Sequence, residues 1–479
     1  MGRKAKAAVA VLLALGATGA AYFYLSSGRD KADTRYNGAY RFSDGSLVTI
    51  VPSNSERIRM RRYDDGQVHA LYYDGEDRFA AAEGFSSRDI VASVEFERTE
   101  DGDIAGAKWT AKGGPARTMA RLPLRTETIF FDSGDLRLRG ELVLPEGPGP
   151  FPVVVMVHGS EDYSGVDYYH LPYMFAAHGM AGFKFDKRGT GQSQGEYTQD
   201  FPSLSGDVVA AVELLKKRAE IHPERVSLIG LSQGGWVAPL AATKTDVHSI
   251  VVGFGTVVPL TREDRWGYVK RLRDRGFGDA EIAKADEFNV QMARVIFDHE
   301  EEAWDEVFAL RDKYGEEAWF KAIAGSDSVM GIVSSMLTHP AAGLVPGFGW
   351  KLYTRWQESN GANFNRSYDP RPTLSSLSTP SLWLLAGKDS SLPTGETTEI
   401  LDALKMEGRP ISYRVYPEAE HGNVLFSEDG SGQKSYLGYV PTYFKDIMTW
   451  FEEHHAEEAS PAVSADPPES AAEPKAATP

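Results

Sequence analysis

The segment Val226–Ala242, with the sequence VSLIGLSQGGWVAPLAA, decides the fold of this 479-residue chain. It begins as an apolar run of the length of a buried strand and ends as a helix with a small-residue face. Between them, Gly230-Leu231-Ser232-Gln233-Gly234 fits the pattern G-x-S-x-G. This pattern is typical of a sharp strand-to-helix turn that exposes the serine hydroxyl, and its glycines prevent clashes in the turn. We therefore predict that Ser232 is a nucleophile at the edge of a sheet.

A second match to the same pattern occurs at Gly191–Gly195. The pattern is short and the chain contains 47 glycines, so a match can arise by chance and its sequence context must decide. Ser193 lies among polar residues, with no apolar strand before it and no helix after it. We predict that Ser193 is not catalytic.

A serine hydroxyl needs a base to remove its proton. In this type of fold the chain order is serine, acid, histidine, and the histidine lies on a loop after a late strand. His421 follows the strand-like run Ile411–Tyr416 and precedes Gly422, so it is the predicted base. The other histidines fall in the insertion, near the end of the chain or at less suitable positions.

The acid should end the preceding strand, where Leu384-Leu385-Ala386-Gly387-Lys388-Asp389 places Asp389. Its carboxylate would hold His421 in the productive tautomer and stabilise the imidazolium. Glu420 and Asp402 are the competing carboxylates. Glu420 is adjacent to the histidine in sequence and should point elsewhere, and Asp402 lies on the following predicted helix.

The oxyanion of a tetrahedral intermediate needs two fixed N–H donors. We predict the backbone N–H of Gln233 as one and that of Ser160, after the apolar run Val153–Val157, as the other. His158 is expected to pack beneath the site. The charged turn Asp186–Gly189 is expected to brace loops.

Residues 126–455 alternate between strands and helices, which predicts a doubly wound, mostly parallel sheet. Residues 256–375 interrupt this alternation with helical periodicity. Because both ends of this insertion leave the same sheet edge, we expect a helical cap over the site. Trp266, Trp350 and Trp356 are candidates either to line its pocket or to pack its own core.

Residues 36–124 show short alternating segments separated by turns such as Asp64-Asp65-Gly66, which predicts a small all-β domain. It serves either packing or recognition. Arg3, Lys4 and Lys6 precede the apolar run Ala7–Leu25, so residues 1–25 are predicted to be a signal peptide or a membrane anchor. The chain is accordingly expected to be exported, periplasmic or otherwise extracytoplasmic, with inner-membrane anchoring by residues 7–25 as one alternative. Residues 456–479 are predicted to be a disordered acidic tail.

The net charge of −17 disfavours nucleic acid as a partner. There are no cysteines, which excludes disulfides and thiolate chemistry. No metal-ligand spacing such as H-E-x-x-H occurs, so neither a metal nor a cofactor is expected. Composition leaves the oligomeric state open.

Together these motifs resemble the exported bacterial α/β-hydrolases of the serine aminopeptidase-like and dienelactone-hydrolase-like groups, from about Thr126 to Glu453. The resemblance rests on five segments: His158-Gly159-Ser160, Asp186–Ser193, Gly230–Gly235, Gly387-Lys388-Asp389 and Glu420-His421-Gly422. The resemblance implies an α/β-hydrolase fold with a Ser-Asp-His triad, but no particular substrate.

The leading hypothesis is a carboxylic-ester hydrolase that forms an acyl-enzyme on a small-molecule substrate. The alternatives are a serine peptidase of aminopeptidase or acylpeptide type, a thioesterase, and a non-catalytic binding protein on the same scaffold. A peptidase that binds a substrate amine needs an acidic anchor, for which Glu263, Asp264 and Asp286 are candidates.

Overall fold

The computed structural model describes residues 34–53, 57–324, 334, 337, 347, 349–351, 368–430 and 433–457. The predicted signal or anchor segment at 1–25, Trp356 and the tail from 458 onward lie outside these residues. Residues 456 and 457, predicted to begin the tail, belong instead to the last helix. None of the helices in the described ranges has the length and apolarity to cross a membrane.

The first described unit is a closed eight-stranded antiparallel barrel, called the barrel below, and it agrees with the predicted all-β domain. Consecutive strands pair with one another, and β1 closes the barrel against β8. Its strands are β1 Gly38–Phe42, β2 Leu47–Pro52, β3 Ile58–Arg62, β4 Val68–Gly75, β5 Arg78–Glu83, β6 Ile90–Arg98, β7 Ile104–Ala111 and β8 Ala116–Arg121.

The barrel closes around an aromatic core. Inward and outward side chains alternate along its strands, so that Val94 and Phe96 of β6 are buried while Glu95 between them is exposed. The rings of Phe79 and Phe96 pack edge to face with centroids 5.6 Å apart, and Tyr36 contacts both. This alternation is the pattern from which the strands were predicted.

The main domain is an eight-stranded sheet in the order β16-β15-β14-β13-β11-β12-β10-β9. All neighbours from β16 to β12 run parallel, whereas β10 is antiparallel to both β12 and β9. The prediction of a doubly wound, mostly parallel sheet is confirmed. Its strands are β9 Arg125–Ser133, β10 Leu136–Leu144, β11 Phe151–Val157, β12 Ala181–Phe185, β13 Ile221–Leu231, β14 Ile250–Gly253, β15 Ser381–Ala386 and β16 Ile411–Tyr416, and a separate two-stranded hairpin is formed by β17 Val424–Glu428 and β18 Lys434–Tyr439.

Helices cover both faces of the sheet, which is why the central strands are apolar on both sides. On β11, Val153 and Val155 pack into the layer that contains α3 and α4, and Val154 packs into the layer that contains α2 and α11. The described helices are α1 Gly165–Tyr168, α2 Leu171–Ala177, α3 Phe201–Leu215, α4 Gly234–Ala242, α5 Leu260–Asp274, α6 Asp279–Ile296, α7 Ala303–Tyr314, α8 Ala318–Ile323, α9 Arg371–Ser376, α10 Thr394–Met406 and α11 Tyr443–Glu457.

The described part of the insertion contains helices α5 to α8, which follow the carboxyl end of β14 and pack around a core of their own. Trp350 is buried in this core, with its ring centroid 5.0 Å from that of Trp304. Of the two alternatives left open for Trp350, packing of the insertion is therefore the one observed. Trp266 on α5 is half-buried.

The barrel and the main domain share a hydrophobic core. Tyr63 follows β3 of the barrel and is 5% exposed within the layer that contains α2 and α11. Its hydroxyl lies 2.9 Å from Nδ1 of His170 and 2.8 Å from the hydroxyl of Thr49, and its ring packs edge to face on Phe444. The all-β domain thus acts as a packing element of the main domain.

We expect Tyr63→Ala to lower the free energy of unfolding by about 3–5 kcal/mol, because it removes a buried ring from this shared core. Tyr73→Ala is the matched control, since Tyr73 also belongs to the barrel but is 56% exposed; it should cost less than about 1 kcal/mol. Denaturant titrations followed by circular dichroism measure both. Equal losses in the two variants would contradict the shared core.

Candidate active site

Ser232 occupies the turn between β13 and α4 and has a φ of 51°, in the left-handed region that non-glycine residues rarely adopt. Its neighbours must be glycine for steric reasons. A Cβ on Gly230 would lie 2.4 Å from the carbonyl oxygen of Gly234, and one on Gly234 would lie 2.9 Å from that of Val157. The turn predicted from the motif is therefore present, and its tightness explains the motif.

The structure brings Ser232, His421 and Asp389 together. Nε2 of His421 lies 3.2 Å from Oγ of Ser232, and Nδ1 of His421 lies 3.0 Å from Oδ2 of Asp389. The three residues follow β13, β16 and β15, whose carboxyl ends meet at one edge of the parallel sheet. The other oxygen of Asp389 accepts the backbone N–H groups of Ser391 and Leu392 at 2.8 Å, which holds the carboxylate in place.

The two competing carboxylates have other partners. Oε1 of Glu420 accepts the backbone N–H groups of Ser390 at 2.5 Å and of His421 at 2.9 Å, and Oε2 accepts Nζ of Lys434. Glu420 thus ties the loop of the acid to the loop of the base without meeting the imidazole ring. Asp402 accepts the hydroxyl of Tyr413 at 2.9 Å.

The two predicted oxyanion-hole residues lie beside the nucleophile. Gln233 directly precedes α4 and is buried. Ser160 belongs to the loop after β11, and a Cβ on its neighbour Gly159 would lie 3.5 Å from Cβ of Ser232. The loop after β11 and the start of α4 thus both lie next to Ser232.

A segment that the sequence did not single out joins these two residues. Nε2 of Gln199 donates to the carbonyl oxygen of Ser160 at 3.2 Å, and the amide groups of Gln199 and Gln233 are hydrogen-bonded to each other. The Tyr197 hydroxyl also donates to the Ser160 carbonyl oxygen. Polar residues in a loop carry no pattern that would have predicted these contacts.

The charged turn Asp186–Gly189 braces the neighbouring loops, as expected. Nζ of Lys187 donates to the carbonyl oxygens of Gly159 at 2.6 Å and of Glu161 at 3.0 Å, which fixes the loop that contains Ser160. Burial lowers the pKa of Lys187 to about 8. The fully buried Asp186 accepts the Ser164 hydroxyl at 2.6 Å and the Val166 N–H at 3.1 Å.

His158 is buried beneath the site, as predicted. Its Nε2 lies 2.5 Å from the carbonyl oxygen of Phe185. Burial, together with the positive charge of Lys187, lowers the pKa of His158 to about 3, so its ring is neutral at neutral pH. It supports the loop after β11 and is not positioned as a base for Ser232.

Ser193, from the second G-x-S-x-G match, has a structural role. Its Oγ donates to the carbonyl oxygen of Asp186 at 2.8 Å and accepts the backbone N–H of Arg139 at 2.9 Å. The hydroxyl joins the turn after β12 to strand β10, away from His421. This placement agrees with the prediction that Ser193 is not catalytic.

The three candidate acidic anchors differ in their surroundings. Burial raises the pKa of Glu263 to about 8, and the negative charges of Asp264 and Asp389 add to the effect, so Glu263 on α5 lies near the acid of the site. Asp286 is committed to Arg265, at 2.9 Å, and to the Tyr268 hydroxyl, at 2.5 Å. Asp264 is buried.

Within the ranges that the structure describes, no group of three or more histidine and acidic side chains could hold a metal ion. At this edge of the sheet, a hydroxyl, an imidazole and a carboxylate lie in hydrogen-bonded sequence. Such a row can activate the hydroxyl as a nucleophile.

Residues 148–268 match the family model described as serine aminopeptidase, S33. The chain is 26% identical over 201 residues to esterase EstD of Thermotoga maritima, a match that covers 39% of this chain and 47% of that protein. It is 30% identical over 142 residues to 2,6-dihydropseudooxynicotine hydrolase of Paenarthrobacter nicotinovorans, covering 27% of this chain and 37% of that protein.

The match thus spans less than half the length of either of these curated relatives. Among solved structures, the acylaminoacyl peptidase of Pyrococcus horikoshii superposes with a TM-score of 0.43 at 14% identity, covering 83% of this chain and 54% of that one.

Ser232→Ala should reduce turnover by several orders of magnitude while the fold stays intact, because it removes the predicted nucleophile. Ser193→Ala is the matched control, a serine-to-alanine change in the same sequence pattern, and should retain most activity. Steady-state kinetics on an activated ester and thermal melting of both variants give the comparison. The opposite order of activities would move the nucleophile to Ser193.

Asp389→Asn should reduce kcat by about 10⁴-fold, since the amide can donate to Nδ1 of His421 and favour the wrong tautomer. Asp402→Asn, a matched change on α10, should stay close to wild type in the same assay. If Asp402→Asn lost activity and Asp389→Asn kept it, the acid would have to be reassigned.

Proposed function

We propose that this chain, a member of the serine hydrolases with the α/β-hydrolase fold, hydrolyses carboxylic esters through an acyl-enzyme intermediate. One observation carries the proposal. The hydroxyl of Ser232, raised on a turn with positive φ, lies 3.2 Å from His421, whose other nitrogen lies 3.0 Å from the buried carboxylate of Asp389. This is the arrangement that nucleophilic serine catalysis requires.

In the proposed reaction, His421 accepts the proton of Ser232 as Oγ attacks the ester carbonyl carbon. The backbone N–H groups of Gln233 and Ser160 stabilise the oxyanion that forms. The imidazolium, stabilised by Asp389, then gives its proton to the departing alcohol. A water molecule, deprotonated by His421, attacks the acyl-enzyme and releases the acid, which restores the free serine.

The surroundings of the site support an ester substrate over a free amine-terminated peptide. An anchor for an ammonium group is an ionised carboxylate, whereas burial raises the pKa of Glu263 to about 8 and so favours its neutral form in the free protein. Asp286 already pairs with Arg265. The relative named as an esterase agrees with this choice.

A serine peptidase is the second candidate, favoured by the match of residues 148–268 to the serine aminopeptidase family model. The same residues would act on an amide, with His421 protonating an amine instead of an alcohol. Thioesters would follow the ester route.

We also propose that the chain acts outside the cytoplasm. The support is the basic start of the sequence, Arg3, Lys4 and Lys6, followed by the apolar run Ala7–Leu25, both outside the described residues.

The full chain should react with a fluorophosphonate probe at Ser232 and hydrolyse p-nitrophenyl acetate and butyrate with a kcat/KM at least about tenfold above that for aminoacyl p-nitroanilides. Ser232→Ala is the matched control and should abolish both labelling and turnover. Turnover of the anilides without turnover of the esters would replace the proposal by the peptidase alternative. A chain that neither labels nor turns over any member of the panel would be a binding protein on this scaffold.

A further inference from the structure

A cavity of about 380 Å³ opens beside His421, at the junction of the barrel and the main domain. His421, Leu231 and Phe254 form its wall on the side of the nucleophile. Arg59 and Phe85 of the barrel also line the cavity, as does Tyr439 of the hairpin β17–β18. Its volume is that of a site for a small organic molecule, and its lining is aromatic and aliphatic except for a few polar groups.

The wall contributed by the barrel is held firmly against the hairpin. The N–H of Phe85 donates to the carbonyl oxygen of Tyr436 at 3.1 Å, and the N–H of Tyr439 donates to that of Gly66 at 2.8 Å. A Cβ on Gly84 would lie 2.5 Å from the Tyr436 carbonyl oxygen, so the two backbones touch. Backbone contacts therefore hold this side of the barrel against the hairpin.

Arg59 brings a positive charge into this cavity. Its guanidinium group stacks on the ring of Phe85 with 5.2 Å to the ring centroid, and Nε donates to the carbonyl oxygen of Phe85 at 3.2 Å. Burial lowers the pKa of Arg59 to about 10, with the charge of Arg61 as the next cause, so the group stays charged at neutral pH.

Arg61 lies two residues further along β3 and therefore on the same face as Arg59. It is 4% exposed, and its Nε has no hydrogen-bond partner within the described residues. Two guanidinium groups thus face the main domain from one strand of a chain whose net charge is −17.

We propose that this cavity binds an anionic group of the substrate, a carboxylate carried by the acyl or the alcohol part of the ester, on the guanidinium group of Arg59. The planar fork of an arginine matches the two oxygens of a carboxylate, and the aromatic walls take the apolar part of the same molecule. This inference rests on the proposed ester hydrolysis and specifies its substrate class.

Two pairs of esters test the inference on the full-length protein. In the first pair, p-nitrophenyl hemiglutarate carries a carboxylate on its acyl part and p-nitrophenyl butyrate is neutral. In the second pair, 4-acetoxybenzoate carries a carboxylate on its alcohol part and phenyl acetate is neutral. The wild type should show a kcat/KM at least about tenfold higher for the charged member of one pair. Arg59→Met should abolish that preference and change kcat/KM for the neutral members by less than about threefold.

Arg62→Met is the matched control, because Arg62 belongs to the same strand but pairs with Asp65 at 3.2 Å and lies on the opposite face. It should leave the preference unchanged. Arg59→Lys keeps the charge but not the fork, so it should retain part of the preference. Thermal melting of each variant reports on its fold, and the wild-type preference should shrink in 0.5 M NaCl, which tests the same charge without a substitution.

The inference would be overturned by a wild type that prefers neither charged ester, or by an Arg59→Met variant that loses charged and neutral substrates equally while remaining folded. In both cases hydrolysis of neutral esters would persist in the wild type, and the proposed function would stand. A wild type inactive on all four esters and unlabelled by fluorophosphonate would instead remove the proposed function itself.

Discussion

The turn at Ser232 is the constraint on which the rest of the structure depends. Holding a non-glycine residue at a φ of 51° costs on the order of 1–3 kcal/mol, and the neighbouring backbone must approach to distances that only glycine allows. The packing of β13 and α4 into the layers of the sheet offsets this cost. Because β15 and β16 end at the same edge of the sheet as β13, short loops are enough to bring Asp389 and His421 to the hydroxyl of Ser232.

Around that turn, the site is held by contacts that come from distant parts of the chain. Lys187 fixes the loop of Ser160 from below, and Glu420 joins the loops of the acid and the base. Glu420 also binds Lys434 of the hairpin, and the hairpin bonds to the barrel through Tyr439. The barrel is thereby connected to His421 through three hydrogen bonds, which gives it a role in positioning as well as in packing.

How much of the fold and of the candidate site could be predicted depends on how far apart in sequence the interacting residues lie. The sheet, the barrel and the three residues Ser232, Asp389 and His421 leave local signals: period-two and apolar runs, a glycine-framed serine, and acids and histidines that follow strands in a fixed order. The hydrogen bonds of Gln199 with Ser160 and Gln233 leave no local signal, and neither does the placement of Arg59 in the cavity wall. Both depend on which surfaces meet after folding. Glu420 could be ranked below Asp389 as the candidate acid from sequence, but its own hydrogen bonds could not be foreseen.

The pairing of the barrel with the hairpin has a consequence for synthesis of the chain. The barrel strands leave the ribosome early, yet their partners at residues 436–439 emerge roughly tens of seconds later at ordinary elongation rates. During that interval the turns at Gly66 and Phe85, and the barrel surface that carries Tyr63, have no partner to pack against. The nascent chain therefore exposes aromatic surface until translation is nearly complete, and chaperone occupancy of the barrel should last as long as that delay.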